Sequence, residues 1–348
     1  MATSDKLNKL LETKAAIKQA IIDKGVDVGE DVVFADYPSK ISAIQSGGNG
    51  PDYTAVYLAQ TSNGTIYKEL FKNSTLTEIN LDNYDTSNVT NMKDMFYGCS
   101  NLTSLDVSGF DTSSVEDMSC MFYKCENLTT LDLSNFDTSN VTDMGSMFRF
   151  CRSLTSLDVS NFNTSNVTGM SHMFNSCNNL TTLNVSNFNT SNVTNMNDVF
   201  NDCYNLTELD VSNFNTSNVT NMLSIFSNCQ KLITIGDLSN WNTSQVTNMG
   251  SMFSNCYALE ELDIRNFDMT NVTSTTYMFF ACRNLHTLRL DNCSNDTISK
   301  IINSSSFAPS SYSATRKIYV NPDNIGDLIA PTNCVFINCL TEEEIVQE

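Results

Sequence analysis

The chain has 348 residues, with 19 Lys and Arg against 39 Asp and Glu, a formal net charge of -20. Such a surface repels phosphate backbones and anionic lipid, which argues against nucleic-acid binding and membrane docking. Hydrophobic residues make up 41% and recur periodically, so order is expected despite the charge. No run of about 18 apolar residues is present, so no membrane-spanning helix is expected.

Residues 5–24 have the pattern of an amphipathic helix. Leu7, Leu10, Leu11, Ile17, Ile21 and Ile22 recur at spacings of three and four and share one face. A helix of this length is marginal alone in water, so the face must pack on copies of itself, a partner or the following segment. Residues 1–45 are therefore expected to be an attachment or oligomerisation segment, and the chain a homo-oligomer. The glycine-rich residues 46–52 read as a flexible linker. Residues 53–75 read as a capping hairpin around Asn63-Gly64, a favoured two-residue turn.

From residue 76 to 293 the chain repeats. Cys99, Cys125, Cys151, Cys177, Cys203, Cys229, Cys256 and Cys282 are 26 residues apart, except for one step of 27 near Gly236. A fixed period of this size marks a solenoid. Each copy has two halves. The first is Leu-x-x-Leu-x-Val/Leu-x-x-Phe, as at Leu102, Leu105, Val107 and Phe110, in which the pair two residues apart predicts a short strand. The second is Val-x-x-Met-x-x-Met-Phe-x-x-Cys, as at Val141, Met144, Met147, Phe148 and Cys151. Its steps of three and four predict a short helix, capped by the preceding Asp/Asn-Thr-Ser element. The fold class expected is an α/β repeat: a leucine-rich-repeat solenoid of 26-residue strand–helix units on a parallel sheet. A helical segment would precede it and β caps would close it. Residues 294–348 read as the C-terminal cap, with an irregular helix at Ile298, Ile301 and Ile302. Closing strands are expected at 317–320 and 335–337, with a short helix over 323–329 between them.

The motif L-x-x-L-D-V-S-x-F-[DN]-T-S-x-V-T-x-M-x-x-M-F-x-x-C resembles the BspA-like leucine-rich repeat surface proteins of bacteria over residues 76–293. The resemblance implies adhesion and protein or glycan contact rather than catalysis. Those proteins are exported, and the N-terminus here shows no basic region leading into an apolar run. Residues 6–44, L-N-K-L-L-E-T-K-A-A-I-K-Q-A-I-I-D-K-G-V-D-V followed by F-A-D-Y-P-S-K-I-S-A-I, resemble a module of bacteriophage tail and fibre-type virion proteins. Together the two resemblances imply a virion appendage or decoration. Residues 1–45 would bind other virion proteins, and the repeats would contact a host cell-surface protein or glycan. A bacterial cell-surface adhesin and a purely architectural virion protein are the alternatives.

The face on which such repeats make contacts carries a column of polar residues: Asp106, Asp132, Asp158, Asn184, Asp210 and Asp263, with Arg265 and Arg289 near its end. Neighbouring carboxylates about 5 Å apart repel by about 0.8 kcal/mol in water. The column must therefore be solvated, bonded to nearby backbone or shared with cations. The cysteine column has no metal-site or redox spacing and reads as buried free thiols, while Cys334 and Cys339 are candidates to pair. His172 and His286 are the only histidines, with His172 expected on the surface, and no nucleophile–base arrangement recurs. No enzyme activity, cofactor or metal is expected.

Overall fold

The computed structural model describes residues 69–81, 85–304 and 315–346. The expected helix carrying Leu7, Leu10, Leu11, Ile17, Ile21 and Ile22, the linker 46–52, and residues 53–68 of the hairpin lie outside the described residues.

The described chain is a repeat solenoid with parallel pairing between successive coils. Bridges join Asn91 to Asp117, Asp117 to Asp143 and Asp143 to Gly169, and continue through Asn195, Asn221 and Asn248 to Ser274. The helix expected in the second half of each repeat does not form there. Residues 92–99 are a run of overlapping reverse turns instead. Met95, Tyr97 and Cys99 donate their N–H groups three residues back, to Met92, Asp94 and Phe96 (3.2, 3.0 and 3.1 Å). The alternate N–H groups cross to the next coil: Met92 to Asp117, Asp94 to Ser119, Phe96 to Met121 and Gly98 to Tyr123, at 2.7–3.0 Å. Each such run holds two residues in the left-handed region, Asp94 (φ 56°) and Gly98 (φ 73°) in this coil, Ser146 and Phe150 two coils on. A left-handed non-glycine residue costs about 1–2 kcal/mol. Burying the flanking Met and Phe side chains returns about 1.5–3 kcal/mol each. The turn ladder reaches back to Glu69, whose N–H meets Lys93 O at 2.9 Å, within the range expected for the hairpin cap.

The core is built of columns. Phe71, Phe96, Phe122, Phe148, Phe174, Phe200, Phe226, Phe253 and Phe279 stack ring on ring, with centroids 5.4–5.9 Å apart and planes within 14°. The paired methionines, the Leu/Val positions and the cysteines are buried beside them. Every cysteine is free, Cys334 and Cys339 included.

The threonine of Asp/Asn-Thr-Ser does not cap a helix. It is buried and staples two coils together. Thr112 Oγ1 donates to Asp137 O (3.0 Å) and accepts the Asp137 N–H (2.8 Å); Thr138 does the same with Asn163, and Thr164 with Asn189. Asn135 Nδ2 reaches the carbonyls of Val107 and Phe110 in the preceding coil (3.1 and 2.8 Å), and Asn161 repeats the contact one coil later.

Regular strands appear toward the C-terminus. They are β1 (Glu261–Asp263), β2 (Thr287–Arg289), β3 (Arg316–Val320) and β4 (Cys334–Asn338), parallel and in the order β1-β2-β3-β4. Leu262, Leu288, Ile318 and Phe336 share one register. Upstream, the same extended segment pairs through the isolated bridges Thr182–Glu208–Thr234 and through single backbone bonds such as Thr129 N–H to Thr103 O (3.3 Å). Helix α1 (Asn295–Ile302) buries Ile298, Ile301 and Ile302 and is capped by Ser294, whose Oγ accepts the Thr297 N–H at 3.2 Å. Where a helix was expected over 323–329, one 3-10 turn forms at Pro322–Asn324, started by Asn321 and Pro322. Arg316 is buried at the end of the stack, its guanidinium donating to the carbonyls of Leu285 (2.8 Å) and Cys282 (3.3 Å). Beyond β4 the chain folds back, and the Ile345 N–H bonds to Phe336 O at 2.9 Å.

Candidate functional site

The short extended segment of each coil ends on an Asx turn, the local geometry in which an Asp or Asn oxygen captures the N–H two residues on. Asp106 Oδ1 accepts from Ser108 (2.9 Å), Asp132 from Ser134 (2.9 Å), Asp158 from Ser160 (2.9 Å) and Asp210 from Ser212 (3.0 Å). Asn184 Oδ1 accepts from Ser186 at 3.0 Å. The turn bends the chain directly after Leu105–Val107, and the strand expected there does not form as a regular element.

The acidic column is thus bonded to its own backbone through one oxygen per residue, and Asp106, Asp132, Asp158 and Asp210 are exposed. Asp106, Asp132 and Asp158 line one open depression of about 500 Å³ with Ser104, Thr130 and Ser156. The serine two residues on, through its hydroxyl and its N–H, holds the carboxyls of Asp106, Asp158 and Asp210 below the usual carboxylate range. For Asp132 the Ser134 N–H comes first and its hydroxyl second.

The sequence pattern misses one member of the column. Asp237 occupies the Asx position of its coil, accepting from Ser239 at 2.8 Å. The extra residue of the 27-residue step is absorbed at Gly236, whose φ is +79° and where a Cβ would strike Asp210 Oδ1. That one-residue shift takes Asp237 out of a strict 26-residue count. The signal for it is Asp237-Leu238-Ser239, the same Asp-x-Ser as in the other copies.

At the C-terminal end the column changes character. Arg265 Nε lies 2.9 Å from both oxygens of Asp263, and Arg265 also approaches Asp291 at 3.9 Å. Arg289 pairs with Asp291 (2.9 Å), and its guanidinium sits 4.6 Å above the Tyr319 ring. The two arginines expected to contact a partner are held by carboxylates of their own chain. The Asp263 bond, first, and the other nearby carboxylates raise the pKa of Arg265 further.

His172 is not fully exposed as expected. Its left-handed backbone (φ 59°) places the ring against Asn197, with Nε2 3.0 Å from Asn197 Nδ2 and Nδ1 3.5 Å from Asp198. Burial, then the Arg149 charge, lowers its pKa. Among the described residues no group of three or more His, Cys, Asp or Glu side chains is placed to hold a metal ion. Among them, too, no helix is long and apolar enough to cross a membrane.

A family model described as "Mycoplasma protein of unknown function, DUF285" matches residues 65–182, 151–236 and 207–314. These overlapping stretches cover most of the chain and coincide with the turn ladder. The chain belongs to the DUF285 family. This is a family of BspA-like repeats, in keeping with the motif. The DUF285 match leaves residues 6–44 outside it, and nothing in it supports the expected likeness of that stretch to phage tail and fibre proteins. No curated protein matches the chain.

Proposed function

We propose that this DUF285 chain is a non-enzymatic interaction protein whose acidic column contacts a cell-surface protein or glycan. The observation that carries the reading is Asn184. It makes the same Asx turn as its aspartate neighbours. The turn therefore needs an oxygen and not a charge. The negative charges at Asp106, Asp132, Asp158 and Asp210 exceed what the fold requires, and they stand in register on an open face.

We place the protein on a bacteriophage particle, as an appendage or decoration. Residues 1–45 would attach it to other virion proteins and form its oligomeric end. The support is the resemblance of residues 6–44 to tail and fibre modules. A second reading, a bacterial cell-surface adhesin of the BspA-like leucine-rich-repeat class, rests on the resemblance of the repeat motif. Immunogold labelling separates the two. Label on particles supports the first reading; label confined to intact cells supports the second.

The contact itself is tested with full-length protein and cells of the bacterium that carries the gene or its phage. The variant Asp132→Asn/Asp158→Asn/Asp210→Asn keeps every Asx turn and so keeps the fold. Loss of cell binding supports the acidic column. Undiminished binding moves the contact elsewhere.

A further inference from the structure

The overlapping turns form a second outward surface, on a different side of each coil from the acidic column. Their backbone bonds use only N–H and C=O groups, so the side chains beside the left-handed positions are unconstrained by the ladder. In the middle copies these positions are polar and mostly buried, as at Asn175, Asn201 and Ser227, and the last copy returns to an aromatic, the exposed Phe280. In the first copies they are aromatic and cationic.

Tyr97 and Tyr123 stack at 4.4 Å, and Phe150 meets Tyr123 edge-on at 5.5 Å. Lys72 lies 4.9 Å from the Tyr97 ring centre, and Lys124 lies 5.6 Å from Tyr123 and 5.8 Å from Phe150. Arg149 and Arg152 sit over Phe150 at 4.9 and 5.2 Å. Lys72 is matched by Asp94 and Glu69, and Arg152 faces Glu126 at 3.7 Å. Lys124 and Arg149 have no carboxylate within ion-pair distance among the described residues. In a chain of net charge -20, unneutralised cations gathered on aromatic rings are not explained by stability.

We propose that the Tyr97–Tyr123–Phe150 edge is a binding surface for an acidic polysaccharide. The rings supply apolar edges and hydroxyls for pyranose rings. Lys124 and Arg149 supply donors for carboxylates set along the polymer. A polyphosphate of nucleic-acid charge density would meet the acidic remainder of the chain. A uronate or sialate polymer carries fewer charges per length and offers ring faces as well. This surface does not depend on the acidic column or on a virion location.

Full-length protein is titrated with hyaluronate, polygalacturonate and polysialate, with dextran as the neutral polymer and oligothymidylate as the phosphate polymer. At least one acidic polysaccharide binds, weakens with added salt, and loses about tenfold in affinity in Lys124→Gln/Arg149→Gln. Lys231→Gln/Lys317→Gln removes the same charge elsewhere and leaves affinity within about twofold. Circular dichroism verifies that both variants are folded. The proposal is overturned if no acidic polysaccharide binds, if both double variants weaken binding equally, or if oligothymidylate binds as tightly through the same residues.

Discussion

The thiol of Cys125 donates a hydrogen bond to the main-chain carbonyl of Phe96, 3.3 Å away in the preceding coil. Cys151 repeats this with Phe122 (3.1 Å) and Cys177 with Phe148 (3.2 Å). The same Phe96 carbonyl accepts the N–H of Cys99 at 3.1 Å. The cysteine is therefore both a small apolar filler and a weak donor to an oxygen that the inter-coil ladder leaves over. Cys151→Ala removes the donor and opens a small void, at a cost of about 1–2 kcal/mol in denaturant unfolding. In native protein, a thiol reagent modifies Cys120 and Cys339, which are partly exposed, and spares the buried column until the chain unfolds.

Burial pushes the thiols of Cys99, Cys203 and Cys282 up to about 12, from an ordinary value of 9.0. A group whose pKa is raised on folding stabilises the fold fully below its unfolded value, and that contribution is lost as pH rises toward the folded one. Unfolding by denaturant is expected to become easier from about pH 9 upward, with proton release on unfolding. At the acid end the sign reverses. The carboxyls of Asp106, Asp132, Asp158 and Asp210 are lowered, so their contribution is present above the ordinary carboxylate range. It is lost as pH falls through their folded values. A midpoint-against-pH curve shows both limbs, and the Asp→Asn triple variant flattens the acid limb alone.

Phe174 sits mid-stack, between Phe148 at 5.7 Å and Phe200 at 5.8 Å. Phe174→Ala removes a fully buried ring and interrupts the column, at a cost of about 3–5 kcal/mol. Because each coil contacts only its neighbours, a break here weakens coupling between the two halves. Denaturant unfolding is expected to broaden or divide into two steps. Tyr204→Ala, at a 37% exposed position, shifts the midpoint by under about 0.5 kcal/mol.

The left-handed turn positions make opposite predictions for two substitutions. Ala281 is held at φ 56°, and Ala281→Gly stabilises the protein by about 0.5–1 kcal/mol, net of the entropy glycine adds to the unfolded chain. Gly98 has φ 73° and packs against Asn73, and Gly98→Ala is destabilising by about 1–3 kcal/mol. Thermal melts of the two variants should move in opposite directions.

The period, the buried columns and the C-terminal strands were legible in the sequence because each depends on which side chains are apolar. Lys317 to Val320 and Val335 to Ile337 fall inside β3 and β4. The turn half was misread because Met144, Met147 and Phe148 recur at three and four residues in either structure. Overlapping turns return a side chain inward every three residues, much as a helix does. The distinguishing signal lay in what separates the apolar positions. Asp94, His172 and Asp198, then Gly98, Asp202, Asn228 and Asn255, put residues suited to positive φ at two fixed places, although other copies carry Cys120, Tyr277, Lys124 and Phe150 there. The acidic column was visible as a column. Its bond to the backbone was not, since an Asx turn depends on where the chain bends, and Asp237 was displaced from the count by Gly236. The pairing of Arg265 and Arg289 was hidden because Asp291 and Tyr319 meet them only through the fold.

The central structural claim is that coils are joined by N–H groups of the turns, so that outward columns stand in register. Backbone NMR with couplings measured across hydrogen bonds tests it at Phe148. Coils joined in this way give a coupling from the Phe148 amide to the Met173 carbonyl, 2.9 Å away, with a matching one from Phe150 to Asn175 at 2.8 Å. A coupling from Phe148 to Met144, four residues back in its own coil, would restore a helix and contradict the account.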